Sequence, residues 1–374
     1  MNVIKKVAGA VWRFAKKEVV LSIAIVAAIV TMFFVPPNLG YLEYFETNTL
    51  IALFCMLTVV AGLKNTNVFE LVSRKLIALF KTRRAVIYCL VYGTYFFDMI
   101  VANDMSLITF LPLAYIVLHS TGNDKYLAYT FINMTIAANM GGMITPYGNP
   151  QNLFLFNHYN MRLPDFLGSL AIQAGTIMVL LFISGLFVKN EPLQLVNKEK
   201  FVLKKKELVV YAVLFVFVVL SIFRVVPHEI TMILVIVSVL IMDRTRFKYV
   251  DYALLATFCV FFIFSGNMAE IDSIKEFIAG IVEKNTLVAG IVSCQFISNV
   301  PTAIFLSNFT DNYRDLLVAV NVGSLGILIS SLASLITLKE YLKHQPTKFK
   351  SYLGLFTLVN TIFLAIVLAV TFLV

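Results

Sequence analysis

The sequence predicts an all-α polytopic membrane protein with an inverted repeat, two re-entrant hairpins and two broken helices. Three observations predict this fold: the composition, the lengths of the apolar runs, and polar motifs that recur in order. Of 374 residues, 60% are hydrophobic and 14% are charged, whereas soluble domains have about 45–50% apolar and about 25% charged residues. This composition excludes a soluble enzyme and a disordered binding module. In a membrane protein, the net charge of +9 indicates basic cytoplasmic loops rather than a nucleic-acid partner.

The apolar runs predict nine full spans, because about 20 apolar residues cross a bilayer as a helix. Two of the spans, 126–156 and 312–338, are interrupted by polar residues and are therefore predicted to be broken helices. Two further segments, 85–118 and 286–309, each have two short apolar arms around a polar centre, which is typical of a re-entrant hairpin. The nine spans are 19–35, 49–63, 126–156, 166–188, 207–223, 229–242, 252–265, 312–338 and 353–374.

The basic residues support this topology. We place the N-terminus in the cytoplasm and count each hairpin as no crossing. Of the 30 Lys and Arg residues, 25 then lie on the cytoplasmic side and 5 outside, which is the asymmetry that short loops of membrane proteins show. Treating either hairpin as a full crossing would reverse every later loop.

Polar motifs recur in order and predict two repeats. At an offset of 196 residues, Asn103 at the first hairpin tip matches Asn299 at the second. The two broken helices match at an offset of 182, where residues 148–153 pair with 330–335. Each copy makes four crossings, so one extra span between the copies inverts the second. The first hairpin then opens from the cytoplasm and the second from outside, and we expect their tips to approach each other near the midplane.

The predicted organisation follows from these repeats. It consists of a cytoplasmic N-terminal arm (1–18), a first repeat (19–188), a cytoplasmic linker with one extra span (189–223) and a second repeat (224–374).

The first helix break lies in residues 141–150, which contain three glycines and two prolines. A break at membrane depth is tolerated only where it is buried in protein or lines a cavity. It exposes backbone carbonyls, which suit a cation, and it begins a new helix, whose free N–H groups suit an anion. Each hairpin offers similar chemistry, and we expect the return arms to begin after an Asn, at Met105 and Pro301. The alternative for these Asn and Ser residues is hydrogen bonding between helices.

Two acidic residues lie at membrane depth, where an ionisable group is costly and usually functional. They are Asp98 and Asp104, and their partners at an offset of 196 are Cys294 and Val300. Acidic residues therefore occur in one half only, as expected if that half binds a coupling cation or proton. A hydrogen-bonded structural role for Asp98 is the alternative.

Other classes of protein fit the sequence less well. An intramembrane hydrolase needs a Ser–His pair, paired Asp residues or zinc ligands at depth, so we expect no enzyme. The four cysteines lie in apolar runs without CxxC spacing, which indicates no zinc site or disulfide framework. A channel usually builds its filter from subunit symmetry. The histidines lie in predicted loops or at span ends: His119, His158, His228 and His344.

The motifs resemble those of the ion transporter superfamily, and most closely its citrate-transporter-like and ArsB/NhaD-like permeases. The similarity runs from about Asn48 to the C-terminus, and it rests on Ala102-Asn103-Asp104, on Thr145-Pro146-Tyr147-Gly148-Asn149-Pro150-Gln151-Asn152-Leu153 and on Ser298-Asn299-Val300-Pro301-Thr302. The resemblance implies a secondary transporter of the bacterial inner (plasma) membrane, commonly a homodimer in which a hairpin-bearing domain moves like an elevator.

In the sodium-coupled dicarboxylate branch each hairpin tip carries Ser-Asn-Thr. The resemblance assigns ligand roles to Asn103 and Asn299, with Ser298 matching the family Ser and Ala102 departing from it. This departure weakens the first sodium site and resembles the arsenite-permease pattern, where proton coupling is plausible. The second broken helix lacks the family's proline and glycine at residues 327–331, so we expect a gentler break there.

Together these observations predict a secondary active transporter for a small anion, either a di- or tricarboxylate or an inorganic oxyanion, coupled to Na+ or H+. A Na+/H+ antiporter or an arsenite-type permease on the same scaffold is the alternative. Besides the substrate, the expected partners are the lipid bilayer and a second copy of the chain, with no cofactor and no transition metal. The candidate substrate-binding residues are Asn103, Ser106, Thr145, Asn149, Ser298, Asn299, Thr302 and Ser331, and the candidate cation or proton residues are Asp98, Asp104, Asn139 and Gly148.

Overall fold

A computed structural model describes residues 14, 18–101, 103–193 and 202–373. The described chain is helical apart from turns and one isolated bridge between Thr82 and Pro192, which confirms the all-α polytopic class. The tip residue Ala102, most of the N-terminal arm and part of the predicted linker lie outside the described residues. The helices are α1 Val19–Met32, α2 Thr47–Lys64, α3 Val68–Ala78, α4 Arg83–Asp98, α5 Asn103–Ser120, α6 Leu127–Gly141, α7 Pro150–His158, α8 Leu163–Leu186, α9 Lys205–Ile222, α10 His228–Asp243, α11 Tyr252–Glu270, α12 Asp272–Lys284, α13 Thr286–Ile297, α14 Asn299–Leu306, α15 Tyr313–Val322, α16 Leu332–His344 and α17 Phe349–Leu373.

Nine spans were predicted, but fewer unbroken helices among the described residues are long enough and apolar enough to span a membrane. In the described part of the chain, α2, α8, α11 and residues 346–373 pass a test of length and hydropathy, and the bent pair α12 and α13 would make a fifth. The helices α1 and α10 are apolar but shorter, and α9 begins with three charged residues. The remaining two predicted spans are the broken helices, so polar breaks account for two of the five predicted spans that do not pass.

Both predicted hairpins contain two helices joined by a short turn. The helices α4 and α5 form the first hairpin, and α13 and α14 form the second. The return arms begin at Asn103 and Asn299, two residues earlier than expected. In the second hairpin, the chain reverses at the single residue Ser298, whose φ of 71° lies in the left-handed region. Because such a backbone is strained for a residue with a Cβ, this tip is held by its surroundings.

The two broken helices are α6 with α7 and α15 with α16. The first break covers residues 142–149 and the second covers residues 323–331, so the expectation of a gentler second break is wrong. Gly326 supplies the freedom that a proline–glycine pair would give, since it has a φ of 111° and only glycine adopts that conformation without strain.

The helices pack into two groups. In the first, α1 packs against α11, and α2 packs against α9 and α10; in the second, both hairpins pack against the broken helices together with α8 and α17. Each return arm contacts the first half of its own broken helix and the second half of the other, so α5 contacts α6 and α16 while α14 contacts α15 and α7. A Cβ on Gly141 would collide with the backbone of Tyr95, so this glycine permits the close crossing of α6 and α4.

Loops predicted to lie on one side of the membrane contact each other. Among the predicted outer residues, the imidazole of His158 lies 2.9 Å from Glu46, and the Tyr159 hydroxyl donates to Thr310 O at 2.6 Å. Among the predicted inner residues, Arg83 pairs with Glu191. Exposed Ile, Val, Leu and Phe side chains cover α1, α8, α10 and α17, as helices facing lipid require.

Candidate functional site

The candidate site begins where the first hairpin turn lies against the first helix break. The Ser106 hydroxyl is 3.1 Å from Asp98 Oδ1 and 2.9 Å from Asn103 O. The Thr145 hydroxyl donates to Met99 O at 2.9 Å. These hydrogen bonds tie the start of α5 and the middle of the break to the end of α4, so the hairpin turn and the break form one unit.

Two side-chain oxygens meet over Gly142 in this unit. A Cβ on Gly142 would lie 2.5 Å from Asp98 Oδ2 and 2.5 Å from Asn149 Oδ1, so the two oxygens are at most about 5 Å apart. Neither oxygen accepts a hydrogen bond from a side chain among the described residues. The N–H of Gly142 lies beside them but donates to Ala138 O.

A third buried oxygen, Asn139 Oδ1, also has no donor in the described part of the chain. The orientation of the Asn149 amide follows from its contact with a carbonyl, because Asn149 Nδ2 donates to Asn139 O at 3.0 Å, and Asn139 Nδ2 lies 2.9 Å from Ser331 Oγ. The exposed fractions of Asp98, Asn139 and Asn149 are 0%, 1% and 1%. Bulk water therefore does not reach these oxygens, and unpaired buried acceptors cost free energy unless a bound group satisfies them.

We call Asp98, Ser106, Asn139, Gly142 and Asn149 the first-break cluster. Its possible ligand atoms are buried oxygens, one of them on an ionisable carboxyl group, beside a glycine. Oxygen ligands of this kind suit a hard cation such as Na+, and a carboxylate beside an amide oxygen can also hold a shared proton. Among the described residues, no three His, Cys, Asp or Glu side chains gather into a group that could hold a metal ion.

The broken helices contact each other through reciprocal amides. Asn139 on α6 donates to Ser331 at the start of α16, and Asn321 on α15 donates to Asn152 Oδ1 on α7 at 2.7 Å. Ser331 also caps α16, since its hydroxyl accepts from Ser334 N at 3.2 Å. Each amide lies near the end of the first half-helix of one copy and contacts the second half-helix of the other. This pattern supports the predicted repeat, in which Asn139 corresponds to Asn321.

At the second hairpin, the tip residues mostly bind each other. The Thr302 hydroxyl donates to Ser298 O at 2.7 Å, and Asn299 Oδ1 accepts from Val300 N at 3.0 Å. The Ser298 hydroxyl contacts Ser330 O at 3.4 Å, which is the tip's link to the second break. The amide nitrogen of Asn299 makes no hydrogen bond with the described residues.

The structure therefore places the twelve predicted site residues in three settings. Seven belong to the first-break network and its bond to the second break: Asp98, Ser106, Asn139, Thr145, Gly148, Asn149 and Ser331. Ser298, Asn299 and Thr302 form the second tip. The side chains of Asn103 and Asp104 make no hydrogen bond or ion pair with any described residue, so their roles stay predictions.

Sequence reasoning missed Gln295, on the outer arm of the second hairpin. Its Nε2 donates to Gly323 O at 2.9 Å and Leu325 O at 3.1 Å, and its Oε1 accepts from Ile327 N at 3.0 Å. A polar residue in an apolar arm, three residues before the tip turn, was the available signal. Asn152 and Asn321 were likewise not assigned to the site, although each was matched to a position in the other repeat.

Buried polar breaks and hairpins between membrane helices are the form that substrate sites take in secondary transporters. Comparison with known proteins gives the same class. A family model described as citrate transporter (CitMHS) matches residues 8–313, and the chain belongs to this family. It is 30% identical over 295 residues to the uncharacterized transporter MJ0456 of Methanocaldococcus jannaschii, with 79% of this chain and 81% of that protein covered. It is 26% identical over 303 residues to the inner membrane protein YbiR of Escherichia coli, with 79% and 80% covered.

Proposed function

We propose that this transporter is a cation-coupled carrier of a small anion, and that the first-break cluster binds the coupling cation. The observation that carries the proposal is the pair of buried oxygens over Gly142, Asp98 Oδ2 and Asn149 Oδ1, which have no side-chain donor among the described residues. Two acceptors at this spacing repel each other unless a positive charge or a proton lies between them. Na+ and H+ both satisfy this requirement.

The anion binds where donors remain free. The side-chain oxygen of Asn299 accepts a hydrogen bond from Val300 N, so its amide hydrogens remain available to an anion. At the first tip, Asn103 is 7% exposed. Apart from Arg314, at the outer end of the span 312–338, no Lys or Arg lies in the predicted tips or spans, so the substrate charge is balanced by Asn and Ser donors, helix N-termini and the bound cation. The family name supports a di- or tricarboxylate, and an inorganic oxyanion fits the same donors.

Alternating access occurs by movement of one group of helices against the other. The group of hairpins, broken helices, α8 and α17 moves as the transport domain, while α1, α2 and α9–α11 form the scaffold. The chain lies in the inner membrane with its N-terminus in the cytoplasm, as 25 cytoplasmic basic residues support, and it forms a homodimer through the scaffold. The name of the relative YbiR supports the same membrane.

The test is thermal stability of the purified protein, with and without Na+, over a pH range and with citrate, succinate, sulfate and arsenite. A ligand at 100 times its dissociation constant stabilises the native state by about 2.7 kcal/mol. We expect a cation effect that Asp98→Asn removes, and an anion effect that grows with the cation. No cation or pH effect on the unmodified protein would reject the proposal.

A Na+/H+ antiporter is the second candidate, because the first-break cluster needs no anion to complete it. The two candidates differ in whether ion flux depends on the substrate. We expect cation uptake into proteoliposomes only when an anion from the panel is present. Cation exchange against protons without any anion would favour the antiporter.

A further inference from the structure

The second helix break has its backbone acceptors occupied by one side chain. Gln295 lies on α13 and reaches the break with both ends of its amide: Nε2 binds Gly323 O and Leu325 O, and Oε1 binds Ile327 N. The Ser330 hydroxyl adds a hydrogen bond to Ser324 O at 2.7 Å. The carbonyls that a break exposes are therefore satisfied within the protein.

The first break has the reverse arrangement. The repeat offsets of 196 and 182 match Gln295 to Met99 and Ile327 to Thr145, and these two pairs make equivalent contacts. In the first copy the Thr145 side chain donates to the backbone of Met99, whereas in the second copy the backbone of Ile327 donates to the side chain of Gln295. The contact is kept, but the side chain comes from the hairpin instead of the break.

This exchange changes what each break can bind. With a side chain as short as Thr145 in the break, the first copy leaves Asp98 Oδ2 and Asn149 Oδ1 open. In the second copy, the equivalent of Asp98 is Cys294, which has no charge to offer a cation, and the Gln295 NH2 group lies against two carbonyl oxygens. Carbonyl oxygens around a helix break are cation ligands, and an amide NH2 group presents two positively polarised hydrogens to them.

We infer that the Gln295 amide takes the place of a cation in the second half, so that the protein binds its coupling cation only at the first-break cluster. This inference rests on the proposed function for the identity of the first site. In the second half, Gln295 prevents a cation from binding. A carrier of this design couples one cation site, not two, to each substrate.

The test counts Na+ bound per protomer of the purified protein, with radioactive Na+ at alkaline pH. Gln295→Glu replaces the NH2 group by a carboxylate oxygen among the same carbonyls, and we expect it to bind one more Na+ per protomer than the unmodified protein. Gln295→Met is the matched control, because it keeps the length but adds no charge, and we expect no additional Na+. A folded Gln295→Glu protein without the extra Na+ overturns the inference, whereas a merely structural brace predicts no gain in either variant.

Asp98→Asn provides a second measurement that does not depend on Gln295→Glu folding. We expect this variant to bind no Na+, because the second half is closed by Gln295. One Na+ that stays bound to Asp98→Asn overturns the inference. The proposed function fails by a different result, namely no cation or pH effect on the unmodified protein, and the Na+ gained by Gln295→Glu is counted independently of that result.

Discussion

Asn139 and Ser331 are joined by a hydrogen bond of 2.9 Å although 192 residues separate them. The bond connects the last turn of α6 to the first residue before α16, and the hydroxyl of Thr135 extends the contact to Thr337 at 2.7 Å. The Asn139 amide thus holds the second broken helix with its nitrogen while its oxygen stays open in the first-break cluster. One side chain couples the two halves of the fold to the candidate cation site.

A double-mutant cycle measures this connection. We expect Asn139→Ala and Ser331→Ala to show a coupling energy of about 0.6 kcal/mol, and at most about 1.7 kcal/mol, the range found for hydrogen bonds between membrane helices. The measurement is thermal or chemical unfolding in detergent. Thr176→Ala is the control, since its hydroxyl binds only Ile172 O on its own helix, and it should be additive with Asn139→Ala. Additivity of Asn139→Ala with Ser331→Ala would contradict the contact.

Gly142→Ala tests whether the space over Gly142 binds the cation. The backbone there has φ −63° and ψ −14°, which alanine adopts freely, so the change acts through its Cβ. That Cβ would lie 2.5 Å from both open oxygens and would fill the space between them. We expect the variant to lose the cation-dependent stabilisation, about 2.7 kcal/mol at 100 times the dissociation constant.

Gly168→Ala on α8 is the matched control for Gly142→Ala. A Cβ at Gly168 meets no atom within 4 Å, so the cation effect should be unchanged in thermal-shift measurements. Equal cation responses in the two variants would place the cation elsewhere.

The two acidic residues near the first tip differ in their surroundings, and this predicts different effects. Asp98 is fully buried and contacts Ser106, whereas Asp104 has a small exposed fraction and makes no hydrogen bond with the described residues. We expect Asp98→Asn to abolish measurable cation binding, and Asp104→Asn to weaken it by less than about tenfold, equivalent to about 1.4 kcal/mol. Titration of cation-dependent stability compares the two variants. A larger loss for Asp104→Asn would reverse the assignment of the coupling residue.

Much of the fold was predictable because membrane helices are constrained by few physical rules. Apolar run lengths gave α2, α8, α11 and α17, and the proline and glycine content of residues 141–150 gave the first break. The second break was underestimated, because its glycines are spaced differently from the family motif and its backbone depends on Gln295, a contact between segments that a local motif does not show.

The residue types of the candidate site were predictable from the sequence, but the contacts between these residues were not. Asp98, Asn139 and Asn149 were selected because polar groups at membrane depth are costly. Their shared space depends on how α4 crosses α6 at Gly141, and Asn103 and Asp104 carry the same sequence signals without joining that network. Which polar residues converge is a property of helix packing, and packing angles cannot be derived from one sequence.

At the base of the first hairpin, hydrogen bonds and an ion pair join the start of α4 to the linker after α8. Arg83 N donates to Glu191 O at 2.9 Å, Leu193 N donates to Lys81 O at 2.8 Å, and the Arg83 guanidinium pairs with the Glu191 carboxylate. The hydrogen bond and charge of Arg83 lower the pKa of Glu191 below its ordinary 4.5.

A lowered pKa means that the pair stabilises the folded protein fully above the unfolded-state pKa, and that this stabilisation is lost as the pH falls through the folded-state pKa. We therefore expect Glu191→Gln to lower the melting temperature at pH 7 and to have no effect at a pH below the folded-state pKa. Because Glu191 is about half exposed, added salt should reduce the difference at pH 7. Melting curves of both proteins between pH 3 and pH 7 measure it, and an equal loss at every pH would assign the role of Glu191 to packing instead of charge.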